Sequence, residues 1–80
     1  QLIHRNLSER HGSILVELRK QPHNMTTLSR FAGVTQARTT TLIDQLAALN
    51  MVSRFTPADD RRTQMIKLTA RGLVLATKIR

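Results

Sequence analysis

Two aspartates stand directly before two arginines in PADDRR, residues 57–62, in a chain with only 5 Asp and Glu. Asp59, Asp60, Arg61 and Arg62 at this spacing suit three chemistries: a solvated charged turn, a carboxylate pair for a metal ion, or a basic finger for a polyanion. A free Arg side chain loses roughly 2 kcal/mol of rotamer freedom when immobilised. A neighbouring Asp can hold the guanidinium in a bidentate ion pair and lower that cost before a polyanion arrives. On that reading Asp60 splints Arg62, or Arg54 upstream, and makes no contact with the polyanion itself. As a bare turn, the same charges are worth almost nothing as salt bridges.

A second set lies further upstream. Thr39, Leu42, Ile43, Leu46 and Leu49 recur at helical spacing and predict the inward stripe of a helix. Opposite that stripe fall Gln36, Ala37, Thr40, Thr41 and Asp44, with Arg38 on a flank and Thr35 as the cap. Arg can pair with guanine, Gln with adenine, and a Thr methyl with the thymine methyl. The small residues would let the helix sink deep into a major groove. An ordinary solvated face is the other reading of the same pattern.

The bulk numbers narrow the choice. There are 13 Lys and Arg against 5 Asp and Glu among 80 residues, a formal net charge of +8. On so small a body that field favours polyanion partners. A genome that writes arginine freely is the plainer account of the excess, but the arginines also fall where contact would be useful. Cysteine is absent, which excludes disulfides, thiolate metal sites and thiol redox switching. No apolar run approaches the roughly 18 residues of a membrane span, and no signal peptide is visible, so a soluble cytoplasmic protein is expected.

His4, His11 and His23 are scattered among different elements, and the acids form no motif beyond Asp59 and Asp60, so neither a metal nor a cofactor is expected. His11 reads as a half-buried helix position and His23 as an exposed turn. With no Ser-His-Asp spacing, phosphate loop or cofactor fingerprint, the chain does not read as an enzyme. Phe31 and Phe55 are the only aromatics, and both are assigned to the core, which argues against a single-strand binder built on base stacking.

The elements that must position these residues follow from caps and breakers. Ser8, with Glu9 in the first turn, opens a helix over 8–20 that turns Leu7, His11, Ile14, Leu15 and Leu18 inward. Pro22 ends it. Met25 is expected in a very short strand, and Thr26 or Thr27 caps a helix over 26–32 with Leu28, Phe31 and Ala32 inward. Gly33 closes that helix and Thr35 opens the next, over 35–49. Two helices joined by about three residues around a glycine are the helix-turn-helix signature. Asn50 suits a left-handed helix end.

MVSRFT at 51–56 and QMIKL at 64–68 then alternate as strands, with Met51 or Val52, Phe55, Met65 or Ile66, and Leu68 as inward candidates. PADDRR supplies the turn chemistry between them. The result is a hairpin wing over 51–68, followed at Thr69 by the start of a C-terminal helix, 69–80. The expected fold is α+β, mostly helical: one domain, 1–80, a winged helix-turn-helix with a two- to three-stranded antiparallel wing. A wing tip can reach the narrow minor groove, whose negative potential attracts an inserted Arg. Arg54, Arg61 and Arg62 therefore join Thr35–Thr41 as the DNA-facing set, and the wing tips the reading of the helix towards base readout.

These residues resemble the MarR (multiple antibiotic resistance regulator) transcription factors from about Leu7 to Gly72. DRRTQMIKLTARG, 60–72, is similar to the family's Asp-x-Arg wing tip, second wing strand and Leu-Thr-x-x-Gly helix start. GVTQARTTTLIDQLAALNMVSR, 33–54, resembles its turn, recognition helix and first wing strand, and LSERHGSILVEL, 7–18, the preceding helix. The resemblance implies a dimeric repressor or activator on a pseudo-palindromic operator, with recognition helices in successive major grooves and wings in the flanking minor grooves. It makes Arg62 the minor-groove residue, Asp60 its orienting partner and Thr35 to Thr41 the base-reading stretch. Asn50 departs from a usual Gly, Thr39 from an apolar residue and His11 from a common Gln.

Family members dimerise through helices at both ends. This chain opens on Gln1 and stops at Arg80 inside a helical pattern, so a homodimer is expected through segments outside it. Many members bind a small aromatic acid between the dimerisation and DNA-binding regions; the resemblance allows such an effector, in a pocket that would lie mostly outside or at the margin of these residues. The rival reading is a winged helix used as a protein-interaction or structural RNA-binding module of a larger assembly; a nucleic-acid-modifying enzyme would need catalytic residues beyond the ends. A mere interaction module needs no polar arc such as Gln36–Thr41, nor wing arginines.

Overall fold

Ser8 holds an extended backbone and starts helix α1 (Glu9–Lys20) as its N-cap. The computed structural model describes residues 7–78, in which α1 is followed by β1 (His23–Asn24), α2 (Met25–Ala32), α3 (Gln36–Ala48), β2 (Val52–Phe55), β3 (Met65–Leu68) and α4 (Ala70–Lys78). His4 and the last expected helical residues, 79–80, lie outside the described residues.

The helix-turn-helix is built by three local devices. Asn24 caps α2, its side chain accepting from the Thr27 N–H at 2.8 Å. The expected cap at Thr26 or Thr27 is displaced because pairing of β1 extends the chain right up to Asn24. Gly33 closes α2 at φ 71°, where its N–H donates to the carbonyls of Ser29 and Arg30. The Thr35 hydroxyl then caps α3 by accepting from the Arg38 N–H at 3.1 Å. Asn50, at φ 60°, turns the chain out of α3 into the wing.

The wing is part of a three-stranded antiparallel sheet in the order β1-β3-β2. The short strand is His23–Asn24 rather than Met25, and His23 lies opposite Ile66. His23 is buried, not an exposed turn: its Nε2 lies 3.1 Å from Glu17, and its ring sits 5.5 Å from that of Phe31. Cross-strand partners share a face, so Val52, Arg54, Ile66 and Leu68 point to one side and Ser53, Phe55, Met65 and Lys67 to the other.

That parity takes Phe55 out of the core. With Val52 and Ile66 buried, Phe55 must face outward, where the Lys67 ammonium lies 5.3 Å from its ring centre. Phe31 is also outside, 48% exposed, because α2 turns Leu28 and Ala32 inward and leaves Phe31 on its flank against His23. The core consists of Ile14, Leu15 and Leu18 of α1, Leu28 and Ala32 of α2, Leu42, Ile43 and Leu46 of α3, Met51, Val52 and Ile66 of the wing base, and Ala76 of α4.

Thr69 joins α3, the wing and α4. Its N–H donates to the Met51 carbonyl, its hydroxyl donates to the Asn50 carbonyl at 2.6 Å, and the same oxygen accepts from the Gly72 N–H. This brings α4 so close to the start of β2 that a Cβ on Gly72 would lie 1.9 Å from the Met51 carbonyl oxygen. Backbone cannot yield as a flexible side chain can. Gly72→Ala should therefore cost about 3 kcal/mol of stability, read as a lower midpoint in denaturant unfolding; an unchanged midpoint would show that α4 can move off the wing base freely.

Candidate nucleic-acid interface

Thr39, Leu42, Ile43 and Leu46 are fully buried, which leaves Gln36, Ala37, Arg38, Thr40, Thr41 and Asp44 exposed on α3. The rotation of α3 is also held from outside the apolar stripe. The Ser8 N–H donates to Nδ1 of His11 at 2.9 Å, so that nitrogen presents its lone pair. Nε2 must then carry the proton, and it donates to Oε1 of Gln45 at 2.6 Å. His11 is thus a buried link from α1 to α3 rather than a half-buried position, 4% exposed and in a single tautomer.

The three threonines share one arrangement. Thr39, Thr40 and Thr41 donate their hydroxyl protons to the carbonyls of Thr35, Gln36 and Ala37, four residues back. For Thr39 this satisfies a buried hydroxyl inside the inward stripe. On Thr40 and Thr41 it leaves the outward oxygens as acceptors, with the γ-methyls available to a thymine methyl. Gln36 is tied sideways, its Nε2 donating to Oγ1 of Thr26 at 3.0 Å. Thr26, in the first turn of α2, thus borders this face; no periodicity in the sequence marks it. Arg38 stands on the opposite flank, where it lines an open hollow of about 440 Å³ with Ser8, Glu9, Arg10, Ser13 and Ala32.

At the wing tip the expected splint takes a different form. Asp60 Oδ1 accepts from the Arg62 backbone N–H at 3.1 Å and Oδ2 accepts from the Thr63 hydroxyl at 2.6 Å. Two turns meet at this residue, Asp60 N–H to Pro57 carbonyl and Thr63 N–H to Asp60 carbonyl. Asp60 therefore shapes the loop backbone instead of gripping a guanidinium, since short Asp side chains reach the backbone two residues on more readily than a long, mobile Arg head. Asp59, Arg61 and Arg62 remain exposed. Arg54 finds its carboxylate elsewhere: Nη2 donates to Oδ1 of Asp44 at 2.6 Å, joining β2 to the exposed face of α3.

Among the described residues, no three His, Cys, Asp or Glu converge as a metal site, and no helix is long and apolar enough to cross a membrane. The arrangement is a polar helix face and a basic hairpin tip on a helix-turn-helix. A model of the MarR family matches residues 7–63. The chain belongs to the MarR family. This MarR-family chain is a winged helix-turn-helix of the kind carried by the transcriptional regulator structures it resembles.

Solved structures agree with that assignment. The chain is similar to the transcriptional regulator BldR from Sulfolobus solfataricus at 32% identity, covering 94% of this chain and 56% of that one with a TM-score of 0.83. It is also similar to a MepR-like protein complexed with pseudoligands, at 29% identity over 92% and 53% of the two chains, TM-score 0.82. The adhesin competence repressor AdcR from Streptococcus pyogenes shares the fold at 24% identity, 94% and 56% coverage and TM-score 0.85. No curated protein matches the chain. This MarR-family chain spans 53–56% of the length of these structures.

Asp60 makes the wing loop sensitive to acid. The Thr63 hydroxyl first, then the Arg62 amide, hold the Asp60 carboxyl below its ordinary value of 3.8. A depressed carboxylate stabilises the loop above its ordinary value and loses that contribution as pH falls through the lower folded value. The amide signals of Arg62 and Thr63 should therefore be constant from about pH 5 upward and shift in acid, with a midpoint below 3.8. Asp60→Ala should abolish that titration and speed hydrogen exchange at both amides. A titration unaffected by the substitution would assign it to another group.

Proposed function

We propose that this chain is the DNA-reading domain of a bacterial or archaeal cytoplasmic repressor, working as a homodimer through segments outside it on a pseudo-palindromic double-stranded operator. The Asp44–Arg54 bond carries the reading: it joins the exposed face of α3 directly to the wing strand, so helix and wing can address one duplex. Thr35, Gln36, Ala37, Arg38, Thr40 and Thr41 read the major groove. Thr40 and Thr41 accept from exposed amino groups of cytosine or adenine, and Arg38, from its flank, pairs with guanine. Arg61 and Arg62 enter the adjacent minor groove from a loop whose backbone Asp60 has already shaped. Dimerisation supplies the second half-site, and the spacing of the two follows one helical turn. Response to a small-molecule effector of the aromatic-acid class is part of this reading; a MepR-like protein of the same fold is known in complex with pseudoligands.

Selection of bound sequences from random duplex DNA by the full-length protein should enrich an inverted repeat. A flat pool would instead favour a protein-interaction or structural RNA-binding module. Arg62→Ala should weaken binding to all duplexes and reduce the slope of log K against log salt by about one; an unchanged slope removes Arg62 from the phosphate-lined groove. Arg38→Ala should change sequence preference, by about 1–3 kcal/mol at one base pair. Equal weakening on every operator variant would reduce Arg38 to a backbone contact.

A further inference from the structure

Asp44 is the only acid in α3, and it stands on the face that would meet phosphates. An unpaired carboxylate there would repel DNA. Its side chain is 60% exposed, so water could solvate it fully, yet it accepts a 2.6 Å hydrogen bond from Arg54. Arg54 is 29% exposed and lies on the strand face that also carries Val52, Ile66 and Leu68. Pairs this exposed add little to stability, so folding alone is a weak reason for the acid to be there. What the pair does is electrostatic and geometric. It cancels one cation at the junction of helix and wing, and it ties the strand that bears the wing loop to the helix that reads bases.

We propose that Asp44 is a specificity-determining positioning residue: it keeps Arg54 off the phosphates and so suppresses sequence-indifferent binding, while holding the wing to the recognition helix. The proposal rests on the reading that α3 and the wing address one duplex. Each cation placed on a phosphate of B-DNA adds about 0.9 to the steepness of log K against log salt and strengthens binding to any sequence. Releasing Arg54 therefore helps random DNA, whereas operator binding is limited by base contacts that need a fixed wing.

The test uses the full-length protein and four versions of it: unaltered, Asp44→Ala, Arg54→Gln and both together. Affinity is measured across salt on a selected operator and on a fixed random-sequence duplex. Alanine is the best helix former at an exposed position, so Asp44→Ala should fold; Asp44→Asn provides an isosteric second variant with a smaller effect in the same direction. Asp44→Ala should steepen the random-duplex salt slope by about one and lower the operator-to-random ratio about tenfold. Arg54→Gln should weaken both duplexes, because it leaves the carboxylate facing phosphate. The double variant should return the random-duplex slope to that of the unaltered protein.

A double variant shallower than the unaltered protein by about one would mean that Arg54 already contacts phosphate, and would overturn the proposal. So would an unchanged slope in Asp44→Ala accompanied by weaker operator binding, the mark of a purely structural brace. Failure of the broader reading looks different, because the unaltered protein itself would then select no operator.

Discussion

Leu42, Ile43 and Leu46 enter the core from one side of α3, and nearly everything at the proposed DNA-facing surface depends on that burial. Each of these side chains, fully withdrawn from water, contributes about 2 kcal/mol. Only one rotation of the helix about its axis buries all of them together, and it pushes Gln36, Thr40, Thr41 and Asp44 outward. Thr39 lies within the stripe without penalty because its hydroxyl donates to the Thr35 carbonyl. The His11–Gln45 bond pins the same rotation from the polar flank, through a ring whose other nitrogen accepts a backbone proton. Apolar packing sets the orientation, and a directional bond limits how far it can drift.

The positive charge is not simply spread over the surface. Arg54 is cancelled by Asp44, and Arg10 donates to the Ala32 carbonyl at the helix-turn-helix corner. Arg61 and Arg62, by contrast, project from a loop whose shape is maintained by a carboxylate that binds backbone and a hydroxyl. Asp60 and Asp44 thus do different work, although either could have been expected to pair with an arginine of the wing. One shapes the loop; the other restrains a cation at its base.

The wing base, the end of α3 and the start of α4 meet at Asn50, Met51, Thr69 and Gly72. Asn50 and Met51 offer carbonyls to Thr69, and the missing side chain of Gly72 lets α4 approach the backbone of Met51. A junction made mostly of main-chain groups has little compliance, since none of them can adopt another rotamer. The hairpin is therefore carried on a base of close main-chain contacts.

Local signals in the sequence determined the order of the elements, the helix-turn-helix, the wing and the outward arc of α3. Helical spacing, the caps at Ser8 and Thr35, and left-handed positions at Gly33 and Asn50 all act within a few residues, so backbone geometry alone makes them readable. Tertiary structure decided who partners whom. It buried His23 in a sheet, moved the α2 cap to Asn24, left Phe31 and Phe55 outside the core, tied Gln36 to Thr26 and gave Arg54 to Asp44 instead of Asp60. A long polar side chain chooses among acceptors that differ by only about 1 kcal/mol. That choice turns on distances between elements far apart in the chain, which no spacing along the sequence encodes.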